Sequence, residues 1–134
     1  MKVVIMAGGK GTRIASVNAD VPKPMILIDG KPILEYQINA LAAQGYCEII
    51  LIIGHLGHVI RDYFEDGSKW NVQISYIEEN TPLGTAGALF YLKEQIKDDF
   101  LLLNGDIIFD VDIRRFLAYH KAQGTMATIL THPN

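Results

Sequence analysis

Short apolar runs alternate along the chain with stretches whose apolar positions recur at helical spacing. Val3-Val4-Ile5-Met6 is unbroken by any polar residue and predicts a buried strand. Leu34, Ile38 and Leu41 fall on one helical face and predict a helix over Ile33 to Gln44, which Gly45 can close. Glu48 to Ile53 is apolar after its first residue and rich in β-branched side chains, as a strand covered on both faces requires. Val59, Ile60, Tyr63 and Phe64 form a second helical stripe. Val72 to Ile77 alternates and predicts a strand. Leu89, Leu92 and Ile96 mark a third helix, Phe100 to Leu103 a strand, Asp112 to Gln123 a helix, and Met126 to Thr131 a last strand.

The resulting order, β-α-β-α-β-α-β-α-β, predicts an α/β fold, doubly wound around a mostly parallel sheet. Sheets of this kind bind ligands beyond the carboxyl ends of their strands, where the strand order reverses. The loops after Met6, Ile53, Ile77 and Leu103 are therefore the places to look, and the first, third and fourth carry unusual chemistry.

Composition narrows the function classes. The chain has 134 residues, 49% of them hydrophobic and 20% charged, which predicts one compact domain with a real core and excludes a disordered tail. No apolar run is long enough to span a bilayer, and no secretory signal is expected. The single cysteine, Cys47, fits a packed thiol in a reducing, cytoplasmic protein. A net charge of −3 argues against a nucleic-acid binder. Yet residues 1–31 hold Lys2, Lys10, Arg13, Lys23 and Lys31 against only Asp20 and Asp29. A basic zone in an acidic chain suggests a local anion site, with chance clustering of solvated lysines as the plain alternative.

The first strand runs into Ala7-Gly8-Gly9-Lys10-Gly11-Thr12-Arg13. Glycines let backbone N–H groups approach an anion, Thr12 adds a hydroxyl donor, and Arg13 adds a planar fork suited to phosphate. The spacing matches neither the P-loop nor the dinucleotide fingerprint, since the earlier P-loop glycine is missing and position 14 is Ile14. Val21-Pro22-Lys23-Pro24 follows, where two prolines are expected to hold the lysine backbone extended and aim its ammonium group toward phosphate beside Arg13. Glu79, in the loop after the third strand, has a carboxylate suited to the N–H edge of guanine, though it can also accept from uracil. Gly84 and Gly87 open the next helix and would let a ring or sugar pack on main chain. Asn104-Gly105-Asp106 puts a carboxylate at the end of an apolar strand, and carboxylate oxygen is what Mg²⁺ prefers. Each segment also has a plain reading as a turn or a helix start. Asp110 and Asp112 read as turn and N-cap residues. His55, His58, His120 and His132 lack any zinc-ligand spacing.

In combination and in this order, Gly8-Gly9-Lys10-Gly11-Thr12-Arg13, Pro22-Lys23-Pro24, Pro82-Leu83-Gly84-Thr85-Ala86-Gly87 and Asn104-Gly105-Asp106 resemble the sugar-1-phosphate nucleotidyltransferase family. The stretch Ser16 to Met25 looks most like heptose-1-phosphate guanylyltransferases, with mannose-1-phosphate guanylyltransferases close behind. The resemblance implies a Rossmann-like fold and transfer of a nucleotidyl group from an NTP, GTP favoured, to a sugar 1-phosphate. It implies Arg13, Lys23 and Asp106 as catalytic residues, with Asp106 on Mg²⁺. It also implies nucleotide contacts from Ala7, Gly8, Gly9, Gly11, Thr12, Glu79, Gly84 and Thr85. Family members carry a second metal aspartate and most sugar contacts in a C-terminal half, whereas this chain stops at Thr131-His132-Pro133-Asn134. Residues 1–134 are thus expected to be the nucleotide-binding part of such a domain, a fragment in preference to a natural short form. The rival expectations are a regulatory module that senses a sugar nucleotide and a uridylyl-, thymidylyl- or cytidylyltransferase. No nucleic-acid or membrane partner is expected, and a homo-oligomer is left open.

Overall fold

A computed structural model describes residues 1–8, 20–81 and 84–131, without the side chains of Thr85 and Ala86. Four parallel strands form the sheet: β1 (Lys2–Met6), β4 (Glu48–Ile53), β5 (Gln73–Glu78) and β6 (Phe100–Asn104). A two-stranded antiparallel hairpin, β2 (Leu27–Ile28) with β3 (Lys31–Pro32), lies between β1 and the first helix in the chain. The helices are α1 (Ile33–Ala43), α2 (Gly57–Phe64), α3 (Gly84–Ala88) and α4 (Ile113–Gln123). The spatial order β5-β4-β1-β6 reverses at β1, so the switch point lies between β1 and β6. The expected doubly wound α/β architecture is the observed one.

Burial explains why these segments became strands. Alternate residues of β1 and β4 point to opposite faces, and both faces are covered. Val3, Ile5, Ile49, Leu51 and Ile53 pack with Leu34, Ile38 and Leu41 of α1 and Ile60 and Phe64 of α2. Val4, Ile50 and Ile52 pack with Ala88 and Leu92 on the opposite face. Each such Leu or Ile contributes about 1.5–3 kcal/mol by leaving water, which is the main stabilisation of the sheet. The helix ends follow local chemistry. Gly45 at φ +86° takes the turn that closes α1, and the Asp112 carboxylate accepts from Arg115 N at 3.2 Å to cap α4, as expected.

Three sequence expectations need correction. Met126–Thr131 is not a strand: it runs beside α4 without pairing to any described strand, and β propensity cannot substitute for a ladder partner. The third helix is short and irregular, with α3 followed by a 3₁₀ turn at Leu89–Leu92, although Leu89, Leu92 and Ile96 do share one buried cluster. Lys23 is not extended. Met25 N donates to Pro22 O at 2.9 Å and Ile26 N to Lys23 O at 3.2 Å, so Lys23–Met25 is a 3₁₀ turn that proline's fixed φ also permits. Among the described residues no helix is long and apolar enough to cross a membrane.

Candidate functional site

The carboxyl ends of the four strands form a continuous row. Ala7 is buried, and its N–H donates to Ile52 O at 2.8 Å, extending the β1–β4 ladder past Met6. On the other flank Gly105 N donates to Met6 O at 2.9 Å. Gly105 is a close-approach glycine: a Cβ there would lie 3.0 Å from Met6 O and 3.3 Å from both Ala7 Cβ and Pro24 Cγ. Pro24 therefore seats against the Asp106 loop, and the turn that starts at Lys23 is anchored by buried Pro22, Pro24 and Met25.

That seating brings Lys23 to Asp106. Lys23 Nζ lies 2.8 Å from Asp106 Oδ2, with the two side chains 33% and 32% exposed. Two residues far apart in sequence thus meet at the switch point, half-shielded and open to a ligand. On the β4–β5 side a second group assembles. A Cβ on Gly8 would sit 3.2 Å from Glu79 Oε1 and 3.3 Å from Gly54 N, so these three residues are in close register. Glu79 is held there because its N–H donates to Ile53 O at 2.8 Å, continuing the β4–β5 ladder.

Of the expected site residues, Ala7, Gly8, Lys23, Glu79 and Asp106 line this row. Among the described residues Gly84 does not join it by contact: it is exposed, has φ +70°, and a Cβ there would meet none of them within 4 Å. Thr85 belongs to α3, and its side chain lies outside the description. Gly9, Gly11, Thr12 and Arg13 lie outside the described residues, as do Pro82, Leu83 and His132. His55 and His58 are exposed, and Cys47 packs against the core as a thiol. Among the described residues no group of three or more His, Cys, Asp or Glu converges for a metal. A hard cation sharing one carboxylate with substrate phosphates fits Asp106, where a lysine ammonium already occupies the cationic position.

Two participants escaped the sequence reading. Gly54 backs Gly8; its only signal was its place after a buried strand. Gln37 of α1 is 1% exposed, and its Nε2 donates to Asn104 O at 2.6 Å and to Ile107 O, either side of Gly105-Asp106. Its signal was legible: Leu34, Gln37, Ile38 and Leu41 complete an i, i+3, i+4, i+7 stripe, and a glutamine in such a stripe is a buried amide that must have partners.

A separate apolar cleft of about 570 Å³ lies between β6, α4 and the Met126–Leu130 segment, lined among others by Leu101, Leu103, Phe116 and Ile129. It holds none of the expected site residues.

A family model described as nucleotidyl transferase matches residues 2–134. A UTP–glucose-1-phosphate uridylyltransferase of Synechocystis is 36% identical over 98% of this chain and 37% of its own. A D-glycero-α-D-manno-heptose 1-phosphate guanylyltransferase of Campylobacter jejuni is 40% identical over 86% of this chain and 52% of its own. Among solved structures, HddC from Yersinia pseudotuberculosis complexed with GMP-PN superposes with a TM-score of 0.79 at 39% identity, covering 88% of this chain and 53% of that one. The chain therefore spans about a third to a half of the length of these relatives.

Proposed function

The chain belongs to the nucleotidyl transferase family, and from that premise we propose that its strand-end row binds a nucleoside triphosphate and supports transfer of the nucleotidyl group to a sugar 1-phosphate. The observation that carries this reading is the Lys23–Asp106 pair at the switch point. In the proposed reaction a sugar-phosphate oxygen bonds to the α-phosphorus, the bond from that phosphorus to the β-phosphate oxygen breaks, and pyrophosphate leaves. No protein nucleophile is required, so the residues act by position and charge.

Lys23 exchanges one anion for another in this scheme. It neutralises Asp106 in the free protein and turns to the triphosphate when nucleotide arrives. Asp106, freed of the lysine, would be the residue to hold Mg²⁺, and the ion would offset the negative charge between triphosphate and incoming phosphate. Ala7 and Gly8 bring main chain to the nucleotide. Glu79, beside Gly8, accepts from the base. Guanine is favoured because its two adjacent N–H donors suit one carboxylate, and because the Campylobacter and Yersinia relatives are named with a guanylyl activity and GMP-PN. A heptose or mannose 1-phosphate is the favoured acceptor.

The test has two arms. Thermal unfolding measured with each of four NTPs, with and without Mg²⁺, should move most with GTP and Mg²⁺, since a ligand bound only by the native state raises its apparent stability. Pyrophosphate release from GTP with heptose 1-phosphate or mannose 1-phosphate then reads turnover. Stabilisation by a sugar nucleotide with no release from any pair would favour a sensing module instead. A larger shift with UTP would transfer the base assignment to uracil.

A further inference from the structure

Two polar side chains are buried in the described core, Glu35 and Gln37. Glu35 has a structural role, accepting from Tyr63 Oη at 3.0 Å and Trp70 Nε1 at 2.9 Å. Gln37 serves the strand-end row. Asn104 is the last β6 residue in register with β1, opposite Met6, and after Gly105 the loop leaves the ladder. Gln37 Nε2 donates both hydrogens to carbonyls of that loop, one just before Gly105-Asp106 and one just after. Its Oε1 is buried without a partner among the described residues. The orientation is therefore set by the two donors: rotating the amide would put oxygen against two carbonyl oxygens. A lysine or arginine would bring a charge into a nearly closed site, and asparagine is one methylene shorter.

The same helix meets the other half of the ion pair. Ile33 N, at the start of α1, donates to Ile26 O at 3.1 Å, directly after the Lys23–Met25 turn. One rigid helix, buried through Leu34, Ile38 and Leu41, thus ties both the turn bearing Lys23 and the loop bearing Asp106.

We propose that Gln37 is a positioning residue that fixes the Asp106 carboxylate relative to Lys23 through its two-pronged clamp on the loop. This rests on the role given to Asp106 above. Gln37→Met keeps the volume and removes both donors. Gln37→Glu keeps the shape and replaces the donors with an anion, which can regain one O–H donor on protonation.

Two measurements on the intact chain decide it. In native-state hydrogen exchange, Gln37→Met should raise opening of the Gly105 amide, which donates to Met6 O beside the clamp, about tenfold or more, while β4 amides stay as in the parent. Gln37→Glu should do the same at neutral pH, with protection returning as pH falls. Binding of Mn²⁺ with GTP, followed by electron paramagnetic resonance, should weaken about three- to tenfold in Gln37→Met and more in Asp106→Asn, and the double variant should match Asp106→Asn alone. Parent-like loop exchange in both Gln37 variants overturns the clamp. A double variant weaker than Asp106→Asn by the full Gln37→Met factor overturns the positioning role. If Asp106→Asn itself binds Mn²⁺ and GTP like the parent, the role of Asp106 fails and the positioning proposal falls with it. Should Gln37→Met not fold, the pH-dependent protection of Gln37→Glu carries the same decision.

Discussion

The two edge strands of the sheet are built on opposite principles. β5, at one edge, alternates polar and apolar residues, with Gln73 and Ser75 exposed and Ile74 buried. It is also clasped from the side: Tyr76 Oη donates to Glu65 O at 2.6 Å, the Arg61 guanidinium lies 5.3 Å from the Tyr76 ring centre, and Arg61 pairs with Glu78 at 3.1 Å. β6, at the other edge, reads Phe-Leu-Leu-Leu-Asn and leaves Phe100 37% and Leu102 36% exposed. Its composition is that of the interior strand β4, whose residues Ile49 to Ile53 are all buried. Among the described residues β5 pairs on one side only and has an edge strand's sequence, whereas β6 also pairs on one side only but has an interior strand's sequence. Natural sheets blunt their edges with charge, short strands or cover; β6 has no charged side chain along its length, and among the described residues Met126–Leu130 flanks it across an open cleft without pairing to it. Its charge lies just past its end, in Asp106, which carries the proposed chemistry.

The largest expected effect separates the end of β6 from its body. Asp106→Ala should lower pyrophosphate release by roughly two to three orders of magnitude, about 3–4 kcal/mol of barrier, by analogy with losing one preorganised transition-state contact. Its thermal midpoint should stay close to the parent's, because the carboxylate is a partly exposed loop group whose ion pair, among the described residues, is with partly exposed Lys23. An unfolded variant with no folded, inactive state would make Asp106 a structural turn residue and remove the contrast.

The counterpart at the end of β5 is Glu79. Glu79→Gln should weaken GTP binding by about 1.5–3 kcal/mol, the range for a hydrogen bond to a charged acceptor, with little change in kcat. Equal losses for GTP and UTP in nucleotide titrations would detach Glu79 from base selection. Together the two variants assign chemistry to one end of the row and recognition to the other.

A smaller effect is expected along the strand bodies. Leu102→Lys on β6 should lower whatever concentration-dependent self-association the parent shows in sedimentation velocity, while Ser75→Lys on β5 should leave it unchanged. Both should alter folding stability by about 1 kcal/mol or less, as partly exposed substitutions do. Identical sedimentation of the parent and both variants would mean that the apolar composition of β6 has no consequence at its edge.

How far the sequence foretold this architecture differs between the same regions. The interior strands β1 and β4 and helix α1 were legible because complete burial leaves an uninterrupted apolar run or a helical stripe. β6 was legible as a strand but not as an edge, since a run of leucines cannot say how many neighbours it has. Met126–Thr131 has strand composition and no ladder, for the same reason. The β2–β3 hairpin went unseen although Asp29 and Gly30, at φ +51° and +78°, form the tight two-residue turn that Asp-Gly favours. In the site, Lys23 and Asp106 stood out singly by residue type and loop position. Their pairing is a long-range contact set by Pro24 seating on Gly105, which no local pattern encodes. Gln37 was legible as a buried amide from its slot in an apolar stripe, but its partners at Asn104 and Ile107 were not, being distant in sequence.

The smallest expected effect tests the clasp on β5. Burial pushes the Tyr76 phenol up from its ordinary 10.0 to about 12, with the nearby Arg61 charge opposing the rise and Asp66 and Glu65 adding to it. The folded state thus holds the phenolic proton more tightly than the unfolded state does. The stability linked to it is fully present below pH 10.0 and is lost as the pH climbs through about 12. Denaturant midpoints for the parent should therefore fall across that window, and those of Tyr76→Phe, which has no proton to lose, should fall less steeply. Tyr76→Phe also gives up the bond to Glu65 O, so it should start from a lower midpoint at neutral pH and converge toward the parent as the pH rises. Parallel curves would mean that Tyr76 ionises as freely in the folded chain as in the unfolded one. In that case the β5 edge would be guarded by its alternating sequence and the Arg61–Glu78 pair alone, and the contrast with β6 would reduce to one of composition.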